Sequence, residues 1–343
     1  MNTSRPHSCS RRVSTGLILG LISGLFATAT LLLASPGAVA QTFPSKPIRF
    51  IVASGAGSSL DVIARSMQDK LKDSLGQPII IENRPQAGGT VATGEVAKSA
   101  PDGHTWLLGF NGPVAFAPHL YSKLTYDPLK DLAPVVLTTS QPNVLAVHSA
   151  MPVNNVQELV ALLRANPGKY NFASVGNGSS SHLSMEAFKA ATNTFAVHIP
   201  FNGGPPAALS TASGETQILA TVPTLILPQV RAGRMKALAV TGTSRYALTP
   251  ELPTLSESGV KELAGFEAIA WNGVLVAGGT PRPIIDRINA AINAAMKDPA
   301  TVQRLKTAGL DTVGGTPDDF AKLIASDFAK WGPIIKRSGA KLD

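Results

Sequence analysis

The sequence predicts an α/β fold of two lobes with a ligand cleft between them, and three observations carry that expectation. β-like and helix-like runs alternate from Lys46 onward, and the alternation restarts after residue 147. In each half a Gly/Ser-rich turn, GAGSSLD at 55–61 and GNGSSSHL at 176–183, follows a β-like run and opens a helix-like one. Strand, helix, strand order implies parallel strands joined by right-handed crossovers. Ligands of such sheets sit beyond the carboxyl ends of the strands, where both turns fall, so the cleft is the default site.

In the first half, IRFIVAS at 48–54 is a short β-branched run. The segment beginning at Ser58 places Leu60, Ile63, Ala64, Met67, Leu71 and Leu75 on one helical face, and Gly76 stops it. PIIIENR reads as a buried strand, GGTVATGEVAKSA as a small-residue helix and TWLLGF at 105–110 as a third strand. After VVLTTSQPNVLAV at 135–147 comes the helix NVQELVALLRANPG with its Pro-Gly stop. YNFASVG, FAVHIPF, TQILATV and MKALAVTG follow as strands, separated by helical stretches at 180–192, 204–213 and 224–232. FEAIAWNGVLVAGG at 266–279 reads as a return strand, and the helices of PRPIIDRINAAINAAMKDPATVQRLKTAG have no sheet of their own, so they are expected to pack back on the first lobe. This gives residues 41–140 with 272–343 as one discontinuous domain and 141–271 as the second, joined by two crossings that act as a hinge. Trp271, in the return crossing, either reports closure or simply anchors the crossing.

Residues 1–40 combine Arg5, Arg11 and Arg12, an apolar stretch from Leu17 to Leu33, the helix-breaking Ser35-Pro36-Gly37 and the exit Ala38-Val39-Ala40. That is the order of a cleaved secretory leader, with a mature chain starting near Gln41 and a periplasmic destination. The Arg11-Arg12 pair hints at export of the folded protein. The single cysteine, Cys9, lies inside the leader. The mature chain therefore has no disulfide, thiolate nucleophile or Cys-ligated metal. The leader also removes three of the 30 Lys and Arg, which leaves 27 against 22 Asp and Glu, or +5. Scattered basic residues and 6% aromatics give no nucleic-acid stripe or stacking platform.

The two turns look like half-sites for one small anion. Amides at a helix start lack intrahelical partners and the dipole there favours negative charge, so such a turn can grip a carboxylate without Arg or Lys. Gly55, Gly57, Gly176 and Gly178 allow close backbone approach beside Ala56. Ser54, Ser58, Ser174, Ser179, Ser180 and Ser181 add hydroxyls. The plainer reading is that these are ordinary caps and turns, which already favour Ser and Gly. His182 can donate to a carboxylate or merely cap and pack. Asp61 can pair with the helix dipole or order the turn before it. Asn111 after TWLLGF, and Phe201, Asn202 and Gly203 in the IPFNGG turn, are further cleft candidates: an apolar wall from Phe201 and a polar contact from Asn202.

No catalytic motif supports an enzyme. There is no G-x-S-x-G elbow and no H-E-x-x-H, and His104, His119, His148, His182 and His198 are dispersed. A dinucleotide site is the rival: Gly55-x-Gly57 follows a strand and Glu82 ends the next, but Leu60 stands where the third glycine belongs. No cofactor and no metal is expected.

FPSKPIRFIV, GQPIIIENRPQAGG at 76–89, APDGHTWLLG at 100–109, Tyr126-Asp127-Pro128 followed by Asp131, NFASVGNGSSSHLSMEAF at 171–188, HIPFNGG, and the stretch from VRAGRMKALAVT through LPTLSESG span nearly the whole mature chain. In that order they resemble the tripartite tricarboxylate transporter receptors, the periplasmic solute-binding proteins called Bug. The resemblance implies a type II periplasmic-binding-protein fold that closes as a monomer on a small carboxylate and delivers it to membrane transporter subunits. A ligand-presenting partner of a periplasmic sensor would use the same fold. It also implies that the loop after the first strand of each lobe holds the carboxylate, partly through water. The chain departs from the family in the turn before Asp61, which lacks proline, and at Phe201-Asn202, where Tyr-Lys is common. Thr221 stands where an acid often does. Without that acid a ligand ammonium has no partner, so a non-amino carboxylate is expected.

Overall fold

A computed structural model describes residues 1–3 and 43–342. The expected secretory leader and its cleavage point therefore lie, apart from the first three residues, outside the described residues. No helix among the described residues is long and apolar enough to cross a membrane.

From Phe43 the chain runs through β1 (Ile48–Val52), α1 (Ser59–Leu75), β2 (Ile79–Asn83), α2 (Thr90–Ala97) and β3 (Thr105–Phe110). Helix α1 starts where its periodicity predicts because Ser58 caps it, accepting from the Asp61 amide, and ends at Gly76 in the left-handed region at φ 68°. A π turn over Gly112–Phe116 continues as α3 (Ala117–Leu120), and β4 (Leu132–Pro142) leads through Asn143 directly into β5 (Val144–His148). Then come α4 (Val156–Ala165), β6 (Asn171–Ser174), α5 (Ser180–Thr192), β7 (Val197–Pro200), α6 (Gly204–Ser213), β8 (Ile218–Thr221), α7 (Pro223–Arg231) and β9 (Met235–Val240). The chain ends in β10 (Ile269–Ala277), α8 (Arg282–Lys297), α9 (Pro299–Thr307) and α10 (Pro317–Ser338). Asp298 separates α8 from α9, its carboxylate accepting from the Ala300 and Thr301 amides beside Pro299.

Two five-stranded sheets result, in the orders β2-β1-β3-β10-β4 and β7-β6-β8-β5-β9. The crossover expectation holds where it was drawn, since β1 is parallel to β2 and β3 and β6 is parallel to β7 and β8. Both sheets are nevertheless mixed. Strands β10 and β5, each the first after the chain passes from the other sheet, lie inside their sheets and run antiparallel to both neighbours. Trp271 on β10 is buried, donates from Nε1 to Asp327 Oδ2 at 2.6 Å and meets Phe320 edge-on, which are the contacts of an anchor.

The chain passes between the sheets twice, at Asn143 and between β9 and β10, and Thr241 ties the two passages together. Its Oγ1 accepts from the Asn143 amide at 2.9 Å and donates to the Ala268 carbonyl at 2.6 Å. Its backbone exchanges further bonds with the same two residues. The Asn143 side chain in turn donates to Ser184 Oγ on α5 at 2.9 Å. Helix α5 belongs to both cores. Met185 and Phe188 pack with the second sheet's Phe172 and Ile218, while Leu183 and Ala187 join the cluster of the first sheet and its covering helix α10. A fully buried Leu such as Leu183 contributes about 2 kcal/mol by that burial.

Thr241→Val keeps the shape but leaves the buried Asn143 amide and Ala268 carbonyl short of a partner. It is expected to lower unfolding free energy by about 2 kcal/mol in urea titration, whereas Thr241→Ser should stay close to the parent.

Candidate functional site

The two Gly/Ser turns have one construction. In the first, the Ser58 amide donates to the Gly55 carbonyl at 3.2 Å, the Asp61 amide to Ser58 Oγ at 3.3 Å, and the Gly57 amide to Asp61 Oδ2 at 2.9 Å. In the second, the Ser179 amide donates to the Gly176 carbonyl at 3.3 Å, the His182 amide to Ser179 Oγ at 3.2 Å, and the Gly178 amide to His182 Nδ1 at 3.2 Å. Gly57 and Gly178 both stand at positive φ, 76° and 70°. The shared pattern is therefore Gly-x-Gly-Ser-Ser-x-Asp/His, in which the seventh side chain takes the amide of the third residue. The serine cap and that acceptor satisfy two donors of the turn, and the amides of Ser59 and Leu60, and of Ser180 and Ser181, are left at the mouth of a helix with no intrahelical partner.

Asp61 is consequently a brace for its turn. It is buried and bound by Arg65 Nε at 2.9 and 3.0 Å as well as by Gly57. Burial works to raise its pKa, but the bonds from Arg65 and the Gly57 amide prevail and hold the carboxyl below its ordinary value. Arg65 also donates to Asn83, whose Nδ2 donates to the Ser54 carbonyl at 3.1 Å, so the loop is fastened at both ends. Glu82, the ribose-binding acid of the dinucleotide reading, is engaged by Arg49 at 2.8 Å and Arg84 at 3.0 Å.

His182 plays the part of Asp61 without charge. Accepting at Nδ1 requires a proton on Nε2, which faces Glu186 Oε1 at 3.8 Å. Its ring stacks on His198 at 3.9 Å between centroids, and His198 stacks on Phe172 at 4.7 Å. Burial, then His198 and Lys189, push the His182 pKa down to about 3; burial, then Lys189, push His198 down to about 4. The charged groups at this stack are Glu186 and Lys189, which pair at 2.7 Å, with Lys189 Nζ 5.0 Å over the Phe172 ring.

The remaining candidates fall around this frame. Ser174, fully buried, contacts His198 Nε2 at 2.6 Å and both polar groups of the Gly176 backbone at 3.2 Å. Phe201 and Gly203 donate their amides to the Ser174 and Val175 carbonyls, which lays the β7–α6 turn along the second loop with Asn202 exposed. Asn111 is buried and donates to the Ile269 carbonyl at 3.0 Å, and Thr221 ends β8 opposite Val144. Ser181 Oγ is buried without a hydrogen-bond partner, as are Asn143 Oδ1 and Gln141 Oε1 at the passage between sheets.

Sequence reasoning passed over the turn Gln86–Gly89 and Gly112, which close the first sheet's side of the site. A Cβ on Gly89 would meet the Ala53 carbonyl at 2.9 Å, just before the first loop, and one on Gly88 would meet the Asn177 carbonyl at 3.4 Å, in the second. One on Gly112 would meet the Gly178 carbonyl at 2.9 Å. The turn thus lies close to both Gly/Ser loops, with little room for a side chain at Gly89. Ala87 within it sits at φ 49°, a conformation that costs an alanine about 1 kcal/mol. The only signal was the glycine pair itself, Gly88-Gly89, read as the opening of a helix. His198 was also passed over, because nothing in sequence joins it to residues 174 and 182.

Two lobes between which the chain passes twice, each presenting the same amide-bearing turn, have the plan of a two-lobed binding protein. Residues 63–340 match the tripartite tricarboxylate transporter family receptor, and the chain belongs to that family. It is 35% identical over 326 residues to Protein BugT of Bordetella pertussis, covering 95% of this chain and 98% of that one. A protein encoded in the tcbD-tcbE intergenic region of Pseudomonas sp. (strain P51) is 36% identical over 295 residues, covering 86% of this chain and 87% of that one. Among solved structures, R. palustris Rpa4515 with adipate matches with a TM-score of 0.77 at 30% identity, over 88% of this chain and all of that one. MatC from Rhodopseudomonas palustris with bound malate matches with a TM-score of 0.76 at 31% identity, over 85% of this chain and all of that one. These likenesses are to two-lobed periplasmic binding proteins, which settles the fold class.

A pH profile of stability follows from the imidazoles. Because both folded pKa values lie below the unfolded value of about 6.5, their contribution is complete above that pH and drains away as pH falls through 4 toward 3. Urea midpoints measured from pH 7.5 to 4 should decline through this window, and His182→Gln, which cannot titrate, should flatten the profile.

Proposed function

We propose that this protein is an exported periplasmic receptor that closes its two lobes on a small carboxylate and passes it to a membrane transporter. The observation that supports this most directly is the duplicated turn. Each lobe offers unpaired helix-start amides, a carboxylate needs several donors, and neither turn can surround it alone. The moving bodies in this reading divide a few residues from the expected bounds of 41–140 with 272–343 and 141–271, after Pro142 and before Ile269, because β4 and β10 pair that far, and they turn about Asn143 and the Thr241 tie. Ser54, Gly55 and Ala56 would approach the ligand from one side. Gly176, Ser179, Ser180, Ser181 and the Phe201–Gly203 turn would approach from the other, with Ser181 Oγ as a hydroxyl still in want of a partner. Asp61, Ser174 and His182 hold the loops, and Asn111 and Thr221 line the passage behind them. A ligand touching both lobes stabilises the closed arrangement by the difference in its contacts between the two states.

The same bonds bear on the ligand class. The one acid in these segments, Asp61, is spent on Arg65 and the Gly57 amide, and Thr221 offers no charge, so an ammonium would be buried unpaired. A non-amino carboxylate is the fitting solute, and adipate and malate, held by the two similar proteins above, both answer that description.

Thermal unfolding of the chain from Gln41, refolded to strip carried-over ligand, tests the proposal against mono-, di- and tricarboxylates and amino acids. A bound acid at a hundred times its dissociation constant adds about 2.7 kcal/mol and raises the midpoint by several degrees. A deaminated acid should stabilise more than the amino acid of the same skeleton. The reverse order would overturn the ligand class, and no shift with any acid would overturn carboxylate capture.

A further inference from the structure

We infer that His198 is the positioning residue of the second anion-binding turn, holding both of its glycine amides through two separate intermediaries. This rests on the reading of that turn as a half-site. His198 Nε2 contacts Ser174 Oγ at 2.6 Å, and that hydroxyl accepts from the Gly176 amide at 3.2 Å. The His198 ring also lies on the His182 ring, 7° from parallel, and His182 Nδ1 accepts from the Gly178 amide. Gly176 at φ 135° and Gly178 at φ 70° are the two residues whose backbone the turn depends on, and each is tied to a side chain that His198 orients. The short contact fixes the serine hydroxyl in either tautomer of His198.

The first turn is fastened by a different residue, Asn83 at the end of β2, which donates to the Ser54 carbonyl and not to a ring stack. There Asp61 reaches Gly57 and is steadied by its own helix neighbour Arg65, one turn along α1. His182 has no such cation bonded to it on α5. Its steadying contacts come from β7, through His198, and from Glu186 at the longer 3.8 Å. An imidazole placed flat against another fixes the ring plane, and with it the direction of the Nδ1 lone pair, in a way an aliphatic neighbour would not. His198 is half-buried and stacks on both Phe172 and His182, so in this role it acts on the turn through those contacts and not by touching the ligand.

The test reads the amides directly, by hydrogen exchange in the ligand-free protein. His198→Phe keeps a ring in the stack but removes the bond to Ser174. Exchange at Gly176 should rise about tenfold, the equivalent of one hydrogen bond. His198→Gln, which returns a polar group to the Nε2 position, should restore Gly176 while leaving Gly178 accelerated for want of the stack. Ser174→Ala should reproduce the rise at Gly176 alone, and if His198→Phe does not fold, His198→Asn, whose shorter side chain cannot supply the Nε2 contact, takes its place. Unchanged exchange at Gly176 in either variant overturns the inference. Adipate affinity, measured in parallel by calorimetry, should weaken about tenfold in His198→Phe and recover in part in His198→Gln. Should the parent bind neither adipate nor any other carboxylate, the functional proposal fails while the exchange data still judge His198.

Discussion

The hydrogen bond from the third residue of each Gly-x-Gly-Ser-Ser turn to the side chain four positions on is the interaction that the site is built around. It closes the turn from within the helix that follows, so the loop has the rigidity of the helix rather than of a tether. It also decides which amides face inward. With Gly57 and Gly178 occupied and the serine caps in place, the donors left over are those at the helix mouth, where the dipole already favours an anion. One lobe uses a neutralised carboxylate for this purpose and the other a neutral imidazole. The two differ in chemistry and agree in net charge, and neither confronts the solute with an uncompensated negative group.

Around that motif the fold supplies placement. Strands β1 and β6 deliver the turns at equivalent positions in the two sheets, and the Gln86–Gly89 turn lies close to both, beside Ala53 and Asn177. Helix α5 is the member with most to do. It starts in the second turn, accepts the Asn143 side chain at Ser184, and gives Leu183 and Ala187 to the opposite core. Any rotation of the lobes has to be absorbed where α5 meets α10 and at the Thr241 tie. These contacts lie among close-packed side chains that favour discrete arrangements over continuous ones.

The fold was largely legible because its signals are local. The period of α1, its serine cap and its glycine stop, and the β-branched run of β1 each depend on residues within a few positions, and α1 and β1 form within a residue or two of where those signals put them. The antiparallel insertion of β5 and β10 was not legible, since strand direction within a sheet is set by which neighbours the crossings bring together. Helix α10 was likewise unread, although Thr316 caps it and Gly339 ends it. In the site, the serines and glycines were found by composition, but the division of labour among them was not. Asp61 and His182 resemble ligand contacts in sequence and brace the turns in space, because only the fold shows that Gly57 and Gly178 turn their amides back toward them. His198 lies sixteen residues beyond His182 on another strand, and only the parallel pairing of β6 with β7 brings the two rings together.

The segments proposed to meet the solute, 54–61, 174–182 and 201–203, carry Asp61 as their one charged side chain, and Arg65 cancels it. In the proposed receptor a solute held there would be gripped by dipoles, whose fields fall off faster with distance than those of ions and are little affected by dissolved salt once water is excluded. Capture of this kind would vary little with ionic strength. Release would then ask only that the two sets of amides be drawn apart, with no ion pair to break as the solute departs.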